Sequence, residues 1–275
     1  MSLKLVLLDL LDFTQTTQHT LITDLNDTER TAIGTSVHWS ARDYVAHLTF
    51  WKQHLSRHLG ALCRSETPPG KGDAQALNAQ VFEEQRERSW ADILLDAELA
   101  HANLLASVER FSGDNLVRSG WPPPEDGEQG VFSERQPLWG IILGNGFWHL
   151  LEHFTQFYLD RNDVLSATQV QQAWADKVMQ PEVALDIQSI GLYTLALFYA
   201  MTKQETSAQE ALHQAKALNP DPAIESIILY TLASFYATTN QKAKAESTLR
   251  QALALNPDLV EFSRQDPDMK MLLGE

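Results

Sequence analysis

The chain has 275 residues, 44% of them hydrophobic and 21% charged, with a formal net charge of −15. This composition supplies enough apolar residues for two ordinary cores and excludes a disordered or fibrous chain. The negative charge, about −10 up to Asp163 and about −5 beyond it, is interrupted by no basic patch, so nucleic acid and anionic lipid are not expected as partners.

A first helix is predicted over about Leu3–Leu25. Its apolar start is broken by Asp9 and Asp12 and has no basic flank or small-residue cleavage site, so no signal peptide is expected. A second helix opens with Ser40-Ala-Arg-Asp43, a capping sequence, and carries Tyr44, Leu48, Trp51, Leu55, Leu59 and Leu62 at spacings of three and four, the mark of a core face. The lone Cys63 cannot close an internal disulfide and fits a reducing compartment. A third helical region, about Ala74–Phe111, is split near Ser89. There Ser89-Trp-Ala-Asp92 forms a second capping box ahead of Ile93, Leu94, Leu99, Leu104, Leu105 and Val108. Gly120-Trp-Pro-Pro-Pro-Glu-Asp-Gly127 through about Pro137 reads as a loop. Trp121 within it is a candidate lid residue.

A fourth helix is predicted from about Leu138 to Asn162. In Trp148-His149-Leu-Leu-Glu-His153-Phe-Thr-Gln156 the spacing puts His149, His153 and Gln156 on one stripe. Phe147, Leu150, Leu151, Phe154, Phe157 and Tyr158 make the adjoining faces strongly apolar, so the imidazoles point into protein and need partners there. A metal ion is one solution and core hydrogen bonding is the other. Asn145 and Gln156 extend the stripe as substrate-binding or bracing residues. Glu152 is a candidate general base. Asp43, one turn before His47, serves either to orient that ring or simply to cap its helix. His54 and His58 form a second i,i+4 pair, read as flanking or surface residues.

Beyond residue 163 the chain repeats itself. Ile190-Gly-Leu-Tyr-Thr-Leu-Ala-Leu-Phe-Tyr-Ala200 recurs 37 positions later as Ile227-Ile-Leu-Tyr-Thr-Leu-Ala-Ser-Phe-Tyr-Ala237. Small residues at Ala196 and Ala233, Ala208 and Ala245, and Ala215 and Ala252 permit close helix approach. Asn219-Pro220 and Asn256-Pro257 stop the second helix of each pair. The pattern resembles the tetratricopeptide repeat, with clear repeats at about 183–220 and 221–257. Two repeats are few for such a stack, so the array is expected to dock on a degenerate helix at about Gln169–Met179, on the tail containing Asp266–Leu273, or on the preceding domain.

Trp39-Ser-Ala-Arg-Asp-Tyr-Val-Ala-His47-Leu, followed by Trp148-His149-x3-His153-x2-Gln156, resembles the DinB-like superfamily, which includes the ClbS/DfsB-type proteins. Asn78-Ala-Gln-Val-Phe-Glu-Glu84 and Arg88-Ser-Trp90 read the same way. The resemblance implies an all-α chain made of a DinB-like four-helix bundle over 1–163 and a short array of TPR-like helical hairpins over 164–275. It also implies a facial metal triad at His47, His149 and His153, and a homodimer by analogy. Three neutral imidazoles suit Zn, Ni or Fe(II) and leave coordination positions open.

Three functions follow as expectations. The bundle is a metal-dependent thiol transferase or hydrolase acting on a small electrophilic substrate; or it is a metal-free ClbS/DfsB-type protection protein; or the repeats recruit a peptide or protein partner, a basic one if the groove is negative. No run of about 18 uncharged apolar residues occurs, so no membrane span is expected, and the cytoplasm is the expected location.

Overall fold

The computed structural model describes residues 1–35, 38–70, 72–118, 137–239, 241–265 and 269. Among them the chain is helical, with no strand. No helix there is long and apolar enough to cross a membrane. The candidate lid Trp121 and most of the expected loop lie outside the described residues. The chain divides into two compact units, Met1–Val170 and Gln171–Glu275, so the division lies slightly beyond the 163/164 boundary expected from sequence.

The first unit is built from α1 (Leu3–Asp24), α2 (Asp27–Thr31), α3 (Ala41–Cys63), α4 (Ala74–Gln85), α5 (Trp90–Glu109), α6 (Gly113–Leu116), α7 (Leu138–Leu143), a π-helical turn (Gly144–Trp148) and α8 (His149–Asp160). Side-chain caps set most of the starts. Asn26 Oδ1 accepts from the Glu29 N–H while Glu29 Oε2 accepts from the Asn26 N–H, and Ser89 Oγ accepts from the Asp92 N–H at 3.1 Å. Each such cap satisfies donors that the first helical turn leaves over.

Helices α1, α3, α5 and the α7–α8 run pack against one another around Leu7, Leu10, Leu11, Leu48, Leu59, Leu104, Phe147 and Leu150, all fully buried. Each such side chain contributes about 1.5–3 kcal/mol by leaving water. The expected stripe on α5 needs one correction. Leu99 is exposed, and the buried line runs Ile93, Ala97, Ala100, His101, Leu104 and Val108. At about 100° per residue, position 99 falls on the far side of that line.

Lys52 was not singled out by its sequence neighbourhood, yet it lies inside this core, 1% exposed. Its Nζ donates to Gln15 Oε1 at 3.2 Å and Gln18 Oε1 at 3.3 Å. Gln15 Nε2 in turn donates to Glu98 Oε1 at 2.9 Å, so the nearest carboxylate is reached only through an amide.

Helix α9 (Val164–Val178) crosses the division between the units. The second unit contains two helical hairpins, α10 (Leu185–Met201) with α11 (Glu205–Ala217) and α12 (Pro222–Thr238) with α13 (Lys242–Leu255), followed by α14 (Leu259–Gln265). The small residues expected at close approaches, Ala196, Ala208, Ala215, Ala233, Ala245 and Ala252, are all fully buried. Asn219 takes a left-handed φ of 53° and Asn256 an extended φ of −138°. Both leave α geometry before proline, as the clash with the proline ring requires. Of the three expected docking surfaces, the tail is seen in use, since Leu259 and Met269 pack with Leu229, Tyr230, Ala233, Leu249 and Ala252 of the second hairpin.

Burial pushes the Lys52 amine down to about 7, partly opposed by Glu98. Between that value and the ordinary lysine range the unfolded chain binds a proton that the folded chain does not, so stability rises with pH across this window and is lowest below it. Denaturant unfolding of K52M followed from pH 6.5 to 9.5 should show that rise removed, a change of about one bound proton in the slope.

Candidate metal centre

His47 sits in the middle of α3, and His149 and His153 occupy the first two turns of α8. Capping fixes the phase of α3: Asp43 Oδ2 accepts from the Ser40 N–H at 2.8 Å and the Ser40 hydroxyl at 2.6 Å. The phase of α8 is fixed by the π turn before it. The His149 N–H donates to Gly144 O, a step of five residues where an α-helix takes four. The turn closes against the core because Gly146 has no side chain. A Cβ there would lie 2.6 Å from Leu11 Cδ2 and 3.4 Å from Leu104 Cδ2.

The result is a convergence of three ring nitrogens. His149 Nε2 lies 3.2 Å from His47 Nε2 and 2.9 Å from His153 Nε2. One ligand atom from each ring falls within 4.8 Å of the others, and this is the only group of three potential ligands among the described residues. For comparison, metal–nitrogen bonds of about 2.0–2.1 Å set ligand nitrogens about 2.8–3.0 Å apart at octahedral angles and about 3.3–3.4 Å apart at tetrahedral ones.

Hydrogen bonding serves this arrangement poorly. A neutral imidazole nitrogen carries either one proton or one lone pair, so His149 Nε2 cannot fully serve both neighbours. A cation accepts all three lone pairs at once. The electrostatics keep those lone pairs available: burial, with the two neighbouring imidazoles, pushes His47 down to about 2, and burial alone pushes His153 down to about 4. The donor set therefore fits a divalent ion of borderline softness such as Zn, Ni or Fe(II). One element of a mature centre is missing. His47 Nδ1 is buried and has no hydrogen-bond partner among the described residues, whereas ligating histidines ordinarily donate from the second nitrogen.

Aromatic rings wall the cluster. Trp39 lies 4.7 Å from the His47 ring and stacks on His153 at 5.8 Å and 23°. Trp51 stands 6.2 Å from both His47 and His149. Tyr44 packs on His153 at 5.6 Å and donates to Asp160 Oδ2 at 2.9 Å. Burial and that hydrogen bond raise the Tyr44 phenol well above its usual range, so it stays protonated.

The other sequence candidates are placed less centrally. Gln156 donates to Asp160 Oδ1 at 2.5 Å and so reaches the cluster only through Asp160 and Tyr44. Asn145 lies in the π turn and donates to Ile141 O at 3.1 Å. Glu152 is exposed on α8. Asp43 caps α3 and also accepts from the Gly34 N–H at 3.0 Å. The expectation that His54 and His58 are flank or surface residues fails for His58, which is 2% exposed. At eleven residues from His47 it shares the buried face of Leu55 and Leu59, and burial followed by the charge of His54 pushes it down to about 4. Trp39 and the π turn were missed. The Gly-Asn-Gly run at 144–146 was the available signal for the turn.

Compared with known families, residues 227–259 match the tetratricopeptide repeat. Neither the curated proteins nor the solved structures gave a match to the chain.

Because the added methyl of G146A would collide with Leu11, chemical denaturation should show a loss of about 1–3 kcal/mol. In the same variant divalent-ion retention should fall, since the π turn sets the phase of His149.

Proposed function

We propose that the first unit is a DinB-like metal-binding domain in which His47, His149 and His153 hold a divalent ion, and that it acts as a transferase or hydrolase on a small electrophilic molecule. The observation that carries this reading is the convergence of the three imidazoles, His149 Nε2 standing 3.2 Å from His47 Nε2 and 2.9 Å from His153 Nε2, distances that ligands of one cation can span. A bound divalent ion would supply Lewis acidity and a water or thiol of lowered pKa. The chain's own residues do the rest. The imidazoles of α3 and α8 would hold the ion through their ring nitrogens, and three protein ligands would leave room on it for substrate and nucleophile. The rings of Trp39, Tyr44 and Trp51 keep the surroundings apolar, which strengthens each electrostatic contact made there.

A second reading concerns the second unit. The repeat match at 227–259 supports a role in protein interaction, and the paired hairpins α10–α11 and α12–α13 are the kind of unit that such arrays stack to present a binding face. This reading stands beside the first, since a recruiting module and a catalytic module serve one chain together.

Elemental analysis of untagged protein purified without nickel resin tests the first reading. Zn, Ni or Fe near one ion per chain is expected, and it should vanish in H149A. A parent that stays empty even after loading with each ion would overturn the reading and turn attention to metal-free small-molecule binding and to repeat partners. The depressed values for His47 and His153 also set the pH behaviour. At these two rings protons compete weakly with metal above about pH 5, so their share of the affinity should change little between pH 8 and 6. Free imidazole ligands would weaken as protonation begins near their ordinary value of about 6.5. Competition with a chelator at each pH measures this.

A further inference from the structure

We infer that Trp39 selects, by size, which molecules reach the open positions of the three-imidazole centre, and that Asp43 is the positioning residue that holds Trp39 in place; both rest on the metal-centre reading above. Trp39 lies outside any helix, in the segment that leads into α3. An indole on a connecting segment would ordinarily sample many positions, but this one is fastened at both sides. Asp43 Oδ2 accepts three hydrogen bonds, from the Gly34 N–H, the Ser40 N–H and the Ser40 hydroxyl. The same segment is closed by the Thr35 N–H donating to His38 O at 2.8 Å. Gly34 is required for this knot, because a Cβ there would stand 2.3 Å from Asp43 Oδ2 and 2.6 Å from His38 O.

The knot delivers the indole onto the two imidazoles that come from different helices, His47 of α3 and His153 of α8. A molecule approaching that edge of the triangle meets Trp39 first. The same indole lines a narrow cleft between α3 and α4 with Ala46, His47, Asn78, Val81, Phe82 and Gln85, whose free volume of about 10 Å³ holds about one water. Pockets for drug-sized ligands occupy about 300–1,000 Å³, so the indole in its present place closes this edge to anything of that size. Its walls are apolar faces and two amides, and no cation lines it; the one carboxylate present, Asp43, is engaged in the knot. The ligands favoured past this edge are small and uncharged, with one donor atom for the cation.

The test uses the full chain loaded with cobalt(II), whose visible absorption reports ligands added to the open positions. The probes are imidazole and the larger 4-phenylimidazole. Wild-type protein should bind imidazole and discriminate against the phenyl derivative. In W39A the affinity for 4-phenylimidazole should rise about tenfold or more while imidazole changes less than about threefold. D43A leaves the indole intact but unfastened and also removes the cap of α3; with its cobalt bands unchanged, so that His47 has kept its place, it should move the same ratio in the same direction by less. If W39A loses its helical circular dichroism, the D43A ratio decides alone. Equal changes for both probes, or none, would overturn the inference while leaving the metal reading intact. A wild-type chain that never develops cobalt bands would remove both.

Discussion

Three imidazoles facing one another inside an apolar core are the constraint on which the first unit turns. Each ring is a polar group withdrawn from water, which costs free energy unless its nitrogens are satisfied. Burial also keeps His47 and His153 neutral, the state in which an imidazole can ligate. The surrounding structure serves this arrangement at several points. Capping at Ser40 and Asp43 sets one helix, a π turn sets the other, and Gly146 lets that turn close against Leu11 of α1.

The same core accommodates Lys52, an amine held by two neutral amide oxygens. A hydrophobic residue of similar length would fill the space without the desolvation penalty. The second unit is governed by a different economy. Alanines at equivalent places in the two hairpins let helices approach closely, and the terminal segment, through Leu259 and Met269, covers apolar surface that a third hairpin would cover in a longer array.

Much of this was legible in the sequence, and what was not has identifiable causes. Helical period and caps located the long helices because apolar spacing and capping chemistry are local properties. The duplication of 37 residues exposed the hairpins because repetition needs no physics to detect. His149 and His153 were found together since they share one helix, but His47 joined them only through a resemblance, because the contact spans about a hundred residues of chain. Leu99 misled because leucine is apolar wherever it stands, while the smaller Ala97 and Ala100 took the buried positions. Lys52 was passed over and His58 was assigned to the flank or surface because residue type predicts exposure for both, and Trp39 entered only as the first residue of a motif. Only the fold reveals that the lysine and the histidine are enclosed and that the indole stacks on the centre.

The π turn has a consequence for how this protein tolerates change in length. A π turn carries one residue more than the α-helical turn it replaces, so the chain before it and the chain after it are rotated out of phase by about 100°. Leu138, Ile141 and Ile142 therefore address the core with one angular register, and His149 and His153 with another. Losing a single residue within 144–148 would restore an unbroken α-helix at almost no backbone cost. That smoother helix could not present both the apolar stripe and the imidazoles to their present neighbours. Here an irregular turn acts as a gear between two registers, and regularity would be the damaging change.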